Sequence, residues 1–336
     1  MKVDLMDNAG EAKLDTLLSR EPHNIEALVG KGDHRSAAGD DRAAAAAFYK
    51  AALRAAQVVG QLPISLKPTI DRAQEGIARA EQLFHQHQER VLTASGFPEG
   101  KRPPRFQQAL DLMIGRAETT LQLQRPTSFY YPDLPQRRYF EPSEFPWAAA
   151  IEASSGEIRD ELLADIKAGG DGFSPYLVSD PSRPRLEFHG LRDNPEWSTL
   201  QLWEKGKPSA HAERFPRTMA SVEAVDLPRI TVRAPNILFS KLSPGARIPP
   251  HHGMLNTRLV CHLPLIVQPG CGFRVGGETR QWEEGKLLIF DDTIEHEAWN
   301  EGKSDRIILI FDAWRPEMDM DERRAVTALF EAVDSY

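Results

Sequence analysis

Past about Pro175 the chain stops reading as helix. The segments "ITVRAPNILFSKL", "TRLVCHLPLIV", "GFRVGG", "KLLIF" and "RIILIFDAW" are short and rich in β-branched or aromatic residues, with Gly, Pro and Asn turns between them. No stretch of helical period intervenes. Parallel strands need a crossover of about a dozen residues or more, usually a helix. This half therefore predicts an antiparallel β domain, a jelly roll or a barrel. A closing helix is expected over Asp321 to Val333.

The N-terminal third has the other period. Ala27, Leu28, Gly32, Ala37, Phe48, Tyr49, Ala52 and Leu53 recur at helical spacing, and "AAGDD" interrupts them as a turn between antiparallel helices. The layout resembles a tetratricopeptide repeat, with one good unit and an imperfect half before it. Such units bury their faces only against neighbours. The helices either offer a docking surface for a protein partner or simply pack on the rest. Further amphipathic helices are expected over Pro68 to Leu92, Phe106 to Leu123 and Ile151 to Ala168, with "QRPTSFYYPDLPQRRYFEPSEFPW" as an extended, ordered linker. The expected fold class is α+β, with a helical tetratricopeptide-like domain over residues 1–125 and a β domain over 126–336.

At 336 residues with a net charge of -8, the chain can bury two cores, and it lacks the basic balance that phosphate binding demands. Nucleic acid is not an expected partner. No run of about 18 apolar residues predicts a membrane span, and "MKVDLMDNAGEAKL" lacks the apolar core of a signal peptide. With only Cys261 and Cys271, no disulfide framework is implied, and a cytoplasmic location is the default expectation.

The histidines pose the functional question. "IPPHHGMLNTRLVCHLPL" holds His251, His252 and His262, and His296 follows an acidic run of Asp291, Asp292 and Glu295. In an extended "TRLVCHLPL", Arg258, Val260 and His262 share one face and Leu259, Cys261 and Leu263 the other. The second set is a plain core face. The first joins an arginine to a histidine, which an apolar core disfavours unless they serve something. His251 and His252 are adjacent, so at most one faces a shared pocket. Histidines about 45 residues apart, His251 and His296, can converge at a barrel mouth. Packing, metal binding and chance all remain open on spacing alone. A two-histidine, one-carboxylate iron site would need an acid two residues after the first histidine, and here that place is Gly253 or Met254.

Taken together, "HxG…NxR…H", "WEEGK", "FDD" and "EHEAW" resemble the aspartyl/asparaginyl β-hydroxylase family. The likeness is clearest from Ile237 to Pro316 and extends back toward Phe129. It implies a double-stranded β-helix, a jelly-roll and cupin relative, that uses Fe(II), 2-oxoglutarate and oxygen. It also implies two histidine ligands, His251 and His296, with glycine at the usual acidic position. Asp292 then either orients a bound water or is an ordinary turn carboxylate. Arg306, with Ser240, matches the pair that holds the far carboxylate of 2-oxoglutarate; otherwise Arg306 is a strand-edge surface charge. His262 matches a residue near the other end of the co-substrate, and Arg258 a conformational or substrate-facing arginine. Trp197 and Trp203 read as core or pocket wall, and "WEEGK" as a turn before a strand.

The implied reaction hydroxylates the β-carbon of an aspartyl or asparaginyl residue in a peptide or protein. One departure bears on the substrate: Val260 stands where the family often has a second arginine. A dioxygenase acting on a free amino acid or small metabolite is the alternative, and a non-catalytic β-barrel with an adaptor role is another.

Overall fold

A computed structural model describes residues 8–41, 46–117, 123–170, 172–179 and 190–335. Two compact units divide between Val91 and Leu92. The first contains α1 (Asn8–Arg20), α2 (Ile25–Ala37), α3 (Ala46–Val59) and most of α4 (Lys67–Ala94). Asn24 caps α2, its side-chain oxygen accepting from the Ala27 N–H at 3.0 Å. Glycine matters at two points here. A Cβ on Gly32 or Gly76 would lie 2.6 Å and 2.3 Å from the Tyr49 ring, so the ring wedges between α2, α3 and α4 only because both side chains are missing. The expected "AAGDD" turn ends α2, with Ala38 as its C-cap and Gly39 at φ 82°; residues 42–45 lie outside the described residues.

The second unit contains α5 (Pro104–Met113), α6 (Ala148–Lys167), α7 (Pro216–Val222) and α8 (Met320–Asp334), and all the strands. It begins well before the residue-125 boundary expected from the sequence. The reason is that α5 packs on α8: Phe106, Ala109 and Leu110 are buried, and Arg105 pairs with Glu322 at 3.4 Å. Helix α5 ends at Met113 rather than near Leu123, with Gly115 at φ 74° just beyond it; residues 118–122 lie outside the described residues. The expected linker is ordered. Phe129 and Tyr131 are buried, and it contributes a first strand, β1 (Tyr139–Phe140).

The remaining strands are β2 (Ser174–Pro175), β3 (Trp197–Glu204), β4 (Lys207–Pro208), β5 (Ile237–Leu242), β6 (Arg247–His251) and β7 (Arg258–Ile266). They continue as β8 (Cys271–Val275), β9 (Glu278–Arg280), β10 (Leu288–Phe290), β11 (His296–Asn300) and β12 (Arg306–Trp314). One sheet runs β1-β10-β7-β12-β5-β3-β2, with β4 on β3, and the other runs β6-β11-β8-β9. From β5 to β12 the chain crosses back and forth between the two sheets, which is the winding of a double-stranded β-helix. All named strand pairs are antiparallel.

The larger sheet is buried on both faces. Its outer face, with Leu259, Cys261, Leu263, Ile307, Leu309 and Phe311, is covered by α6 and α7. Ile151, Ile158 and Leu162 of α6 are fully buried there, each contributing about 1.5–3 kcal/mol of apolar burial. Its inner face meets the smaller sheet across a core that includes Val260, Phe273, Trp282, Phe290 and Ile308. Polar groups on that inner face build the site. Among the described residues no helix is long and apolar enough to cross a membrane.

Candidate active site

His251 ends β6 and His296 begins β11, and the two are direct cross-strand partners. Their ring centroids stand 4.1 Å apart. His251 Nδ1 lies 2.8 Å from the Pro249 carbonyl and His296 Nδ1 lies 3.0 Å from the Ile294 carbonyl. A carbonyl only accepts, so each Nδ1 carries the proton and each Nε2 carries the lone pair. Such outer hydrogen bonds fix both tautomer and ring orientation in metal sites. Burial pushes the His296 imidazole well below its usual pKa, and the neighbouring His251 pushes it further the same way. His296 is thus neutral, the form that binds a metal. His252 lies just past the end of β6, is partly exposed, and is not a cross-strand partner of His296.

One segment ties down both the loop that follows His251 and the loop that precedes His296. Thr127 N–H donates to the Gly253 carbonyl at 2.9 Å, and Arg125 N–H to the Thr293 carbonyl at 2.7 Å. Asn256 is fully buried and holds Tyr131 through both its N–H and its carbonyl, at 2.6 Å and 2.8 Å. Asp291 accepts from Thr293 N at 3.0 Å and from Arg315 Nη1 at 2.7 Å, with neither side chain of that ion pair exposed.

Asp292 takes the space that a side chain at Gly253 would need. A Cβ on Gly253 would lie 2.0 Å from Asp292 Oδ2 and 2.2 Å from its Cγ. Gly253 N–H also donates to the Asp292 carbonyl at 2.6 Å. The missing acid at residue 253 is therefore built into the packing. Among the described residues no group of three or more His, Cys, Asp or Glu is placed to hold a metal ion, which leaves the pair of imidazoles as the candidate ligand set.

Asp292 is not a simple turn carboxylate. It is buried, its Oδ2 accepts from Arg258 Nη2 at 3.0 Å, and its Oδ1 has no hydrogen-bond partner among the described residues. Burial pushes its pKa up to about 6, against the opposing pull of Arg258. Arg258 also reaches Asp312 at 3.5 Å. Burial draws its guanidinium pKa down, but the two carboxylates outweigh burial and hold it above the ordinary value. Asp312 is anchored in turn by the backbone and side-chain N–H groups of Asn236, both at 2.8 Å. Sequence reading did not single out Asp312. The signal was there in the alternation of β12, where Arg306, Ile308, Ile310 and Asp312 fall on one face.

Arg306 is not a surface charge. It is 1% exposed, and its Nε and Nη1 have no hydrogen-bond partner among the described residues. Burial pushes its pKa down to about 10. Register puts Ser240 and His262 on the same inner face: Ser240 pairs with Ile308, and His262 pairs with Ile310 and Leu288. Both are buried, and the His262 imidazole is pushed well below its usual value, first by burial and then by Arg306. Trp282 of "WEEGK" faces inward, 4.8 Å from the Arg306 guanidinium, so only the rest of that segment is turn. Trp197 lies on the inner face and Trp203 in the outer core.

The sequence profile of the aspartyl/asparaginyl beta-hydroxylase family matches residues 152–316, a span that includes both histidines and every inner-face residue named above. Residues 152–316, the greater part of the β-rich domain, thus carry the profile of this family. An aspartyl/asparaginyl beta-hydroxylase of Mus musculus is 40% identical over 188 residues, covering 55% of this chain and 25% of that protein. Aspartate beta-hydroxylase domain-containing protein 2 of Homo sapiens is 30% identical over 221 residues, covering 62% of this chain and 55% of that one. An ornithine lipid ester-linked acyl 2-hydroxylase of Rhizobium tropici is 32% identical over 186 residues, covering 53% and 60%. This chain thus spans about a quarter of the mouse hydroxylase and somewhat over half of the other two. The family profile begins at residue 152, after helices α1 to α5.

Proposed function

We propose that the chain is an Fe(II)- and 2-oxoglutarate-dependent hydroxylase acting on the β-carbon of an aspartyl or asparaginyl residue in a peptide or protein. The observation that carries this is the combination of two tautomer-fixed imidazoles, His296 buried and His251 half-buried, and a buried arginine with no anionic partner among the described residues. His251 and His296 would hold the metal through Nε2. Arg306 and Ser240 would hold the far carboxylate of the keto acid, because a guanidinium matches a carboxylate in charge and fork geometry. His262 would border the keto acid, and Asp292 would accept a hydrogen bond from a metal-bound water at its unpaired Oδ1. When bound, iron and 2-oxoglutarate supply the oxygen-activating redox chemistry that puts hydroxyl on carbon, with succinate and CO2 as co-products. The protein's own part is to orient these partners and exclude water. No protein general base is needed for that.

A second reading has its own observation. Val260, buried against Phe290 and Ile308 in the inner core, offers no charge to a substrate carboxylate. A free amino acid or small metabolite is the alternative substrate class, and the name of the Rhizobium relative extends it to acyl chains. For the helical unit we propose a tetratricopeptide-like role in docking a protein partner, supported by the close α2–Tyr49 crossing at Gly32.

The test is anaerobic titration with Fe(II) and 2-oxoglutarate, followed by oxygen exposure with products read by mass spectrometry. The wild type should form succinate, slowly without a prime substrate. His251→Ala and His296→Ala should each lose metal binding and succinate formation. Unchanged turnover in His296→Ala rejects the metal assignment. Peptide, free aspartate and fatty-acyl substrates offered side by side separate the two readings.

A further inference from the structure

Three neighbouring inner-face side chains carry polar nitrogens that find no hydrogen-bond partner among the described residues. Trp282 is 6% exposed and its indole Nε1 is unpaired. Arg306 contributes Nε and Nη1, and His262 contributes Nδ1. The Arg306 guanidinium carbon lies 4.8 Å from the Trp282 ring, and the His262 ring lies 6.0 Å from it. Phe273 stacks on Trp282 at 5.4 Å and 23°, so the indole is held in one plane. Buried polar groups are almost always hydrogen-bonded, and a buried indole N–H usually finds a partner. An indole N–H and a guanidinium only donate, so a shared partner must be an acceptor. A carboxylate supplies acceptor atoms and the counter-charge that Arg306 lacks among the described residues.

We propose that Trp282 is a positioning residue of this anion site, its indole N–H donating to the same carboxylate that Arg306 binds. The inference rests on the 2-oxoglutarate reading given above. It separates two jobs for one ring. The ring face supports the guanidinium by a cation–π contact; the N–H holds the carboxylate. Trp282→Phe removes the second and keeps an aromatic face for the first, while Trp282→Leu removes both.

The experiment is calorimetric titration of the full Zn(II)-loaded chain with 2-oxoglutarate and, separately, with 2-oxobutyrate, which lacks the far carboxylate. A hydrogen bond to a charged group is worth enough to change affinity by about ten-fold or more. Trp282→Phe should therefore weaken 2-oxoglutarate by about ten-fold or more and leave 2-oxobutyrate and Zn(II) affinity unchanged. A second readout uses the wild type: of its six tryptophan indole N–H resonances, one should move downfield on adding 2-oxoglutarate and not on adding 2-oxobutyrate, and that one should be missing in Trp282→Phe. Equal 2-oxoglutarate affinity in wild type and Trp282→Phe, or no indole resonance that responds, overturns the donor role while leaving the co-substrate reading intact. A wild type that binds Zn(II) but neither acid overturns both.

Discussion

Gly253→Ala tests whether Asp292 really fills the place of a third ligand. The added Cβ would sit 2.0 Å from Asp292 Oδ2, 2.2 Å from Cγ and 2.6 Å from Oδ1. No rotation of an alanine relieves that, so the Asp292 carboxylate must move. Moving it breaks the 3.0 Å bond to Arg258, which is 12% exposed at its side chain. Overpacking alone costs about 1–3 kcal/mol, and disrupting a buried charge pair costs about 3–5 kcal/mol. Because the two effects share one displacement, the expected loss is about 3–5 kcal/mol in all. For a domain of this size each kcal/mol lowers the melting midpoint by about 2–4 °C, so the midpoint should fall roughly 6–20 °C. Asp292→Ala removes the atoms that collide. In that background Gly253→Ala should cost under about 1 kcal/mol, giving a coupling of at least about 2 kcal/mol in a double-mutant cycle read by denaturant unfolding. Additive effects, or a Gly253→Ala protein that melts like wild type, would refute the argument.

Three further outcomes are expected. His262 and His296 have imidazoles pushed well below the ordinary value by burial; the unfolded chain therefore binds more protons below pH about 6.5, and each residue's contribution falls by about 1.4 kcal/mol per pH unit as pH drops from there toward its folded value. Asp292, raised to about 6, works in the opposite sense between there and its ordinary value of 3.8, so wild-type stability should follow about one histidine's slope in that window, and His262→Gln should flatten it when urea unfolding is repeated at several pH values. Arg315→Leu strands the buried Asp291 carboxylate and should cost about 3–5 kcal/mol, seen as lost thermal stability; a midpoint within a degree of wild type would show that Asp291 is satisfied without it. Arg306→Gln should raise the 2-oxoglutarate dissociation constant by about ten-fold or more, since it deletes a charge-assisted fork, while leaving Zn(II) affinity at His251 and His296 unchanged in the same calorimeter.

What the sequence made legible was what period and chemistry determine locally. The alternation in "TRLVCHLPL" placed Arg258 and His262 opposite Leu259 and Cys261, and the sheets follow it, because one face meets helices and the other the second sheet. The adjacency of His251 and His252 implied that only one could face a pocket. What could not be read were features set by contact across long separations. Asp292 entering the volume beside Gly253, and Arg258 bridging to Asp312, depend on strand register, which no local pattern encodes. The "WEEGK" segment misled for a related reason. Its glycine marks a turn, with Gly285 at φ 75°, but the tryptophan three residues earlier belongs to the barrel interior. The helix expected to reach Leu123 stops at Met113, where the chain turns away to dock β1 and the loop segment that holds Gly253.

The two inner-face arginines named here are treated in opposite ways, and this contrast carries the electrostatic logic of the site. Arg258 lies between Asp292 and Asp312, so its charge is compensated within the protein and its role is to hold two carboxylates in place. Arg306, more deeply buried, makes no ion pair among the described residues and rests on an aromatic face. An unpaired buried charge costs several kcal/mol, and stacking on Trp282 returns only about 2 kcal/mol. The protein therefore holds Arg306 at a net cost that an anion entering the barrel would remove. Any dicarboxylate that reaches it gains the missing partner, whereas a neutral ligand leaves the cost in place. Selectivity for an acid over its amide should thus be set at Arg306, while on the proposed reading His251 and His296 would hold the metal.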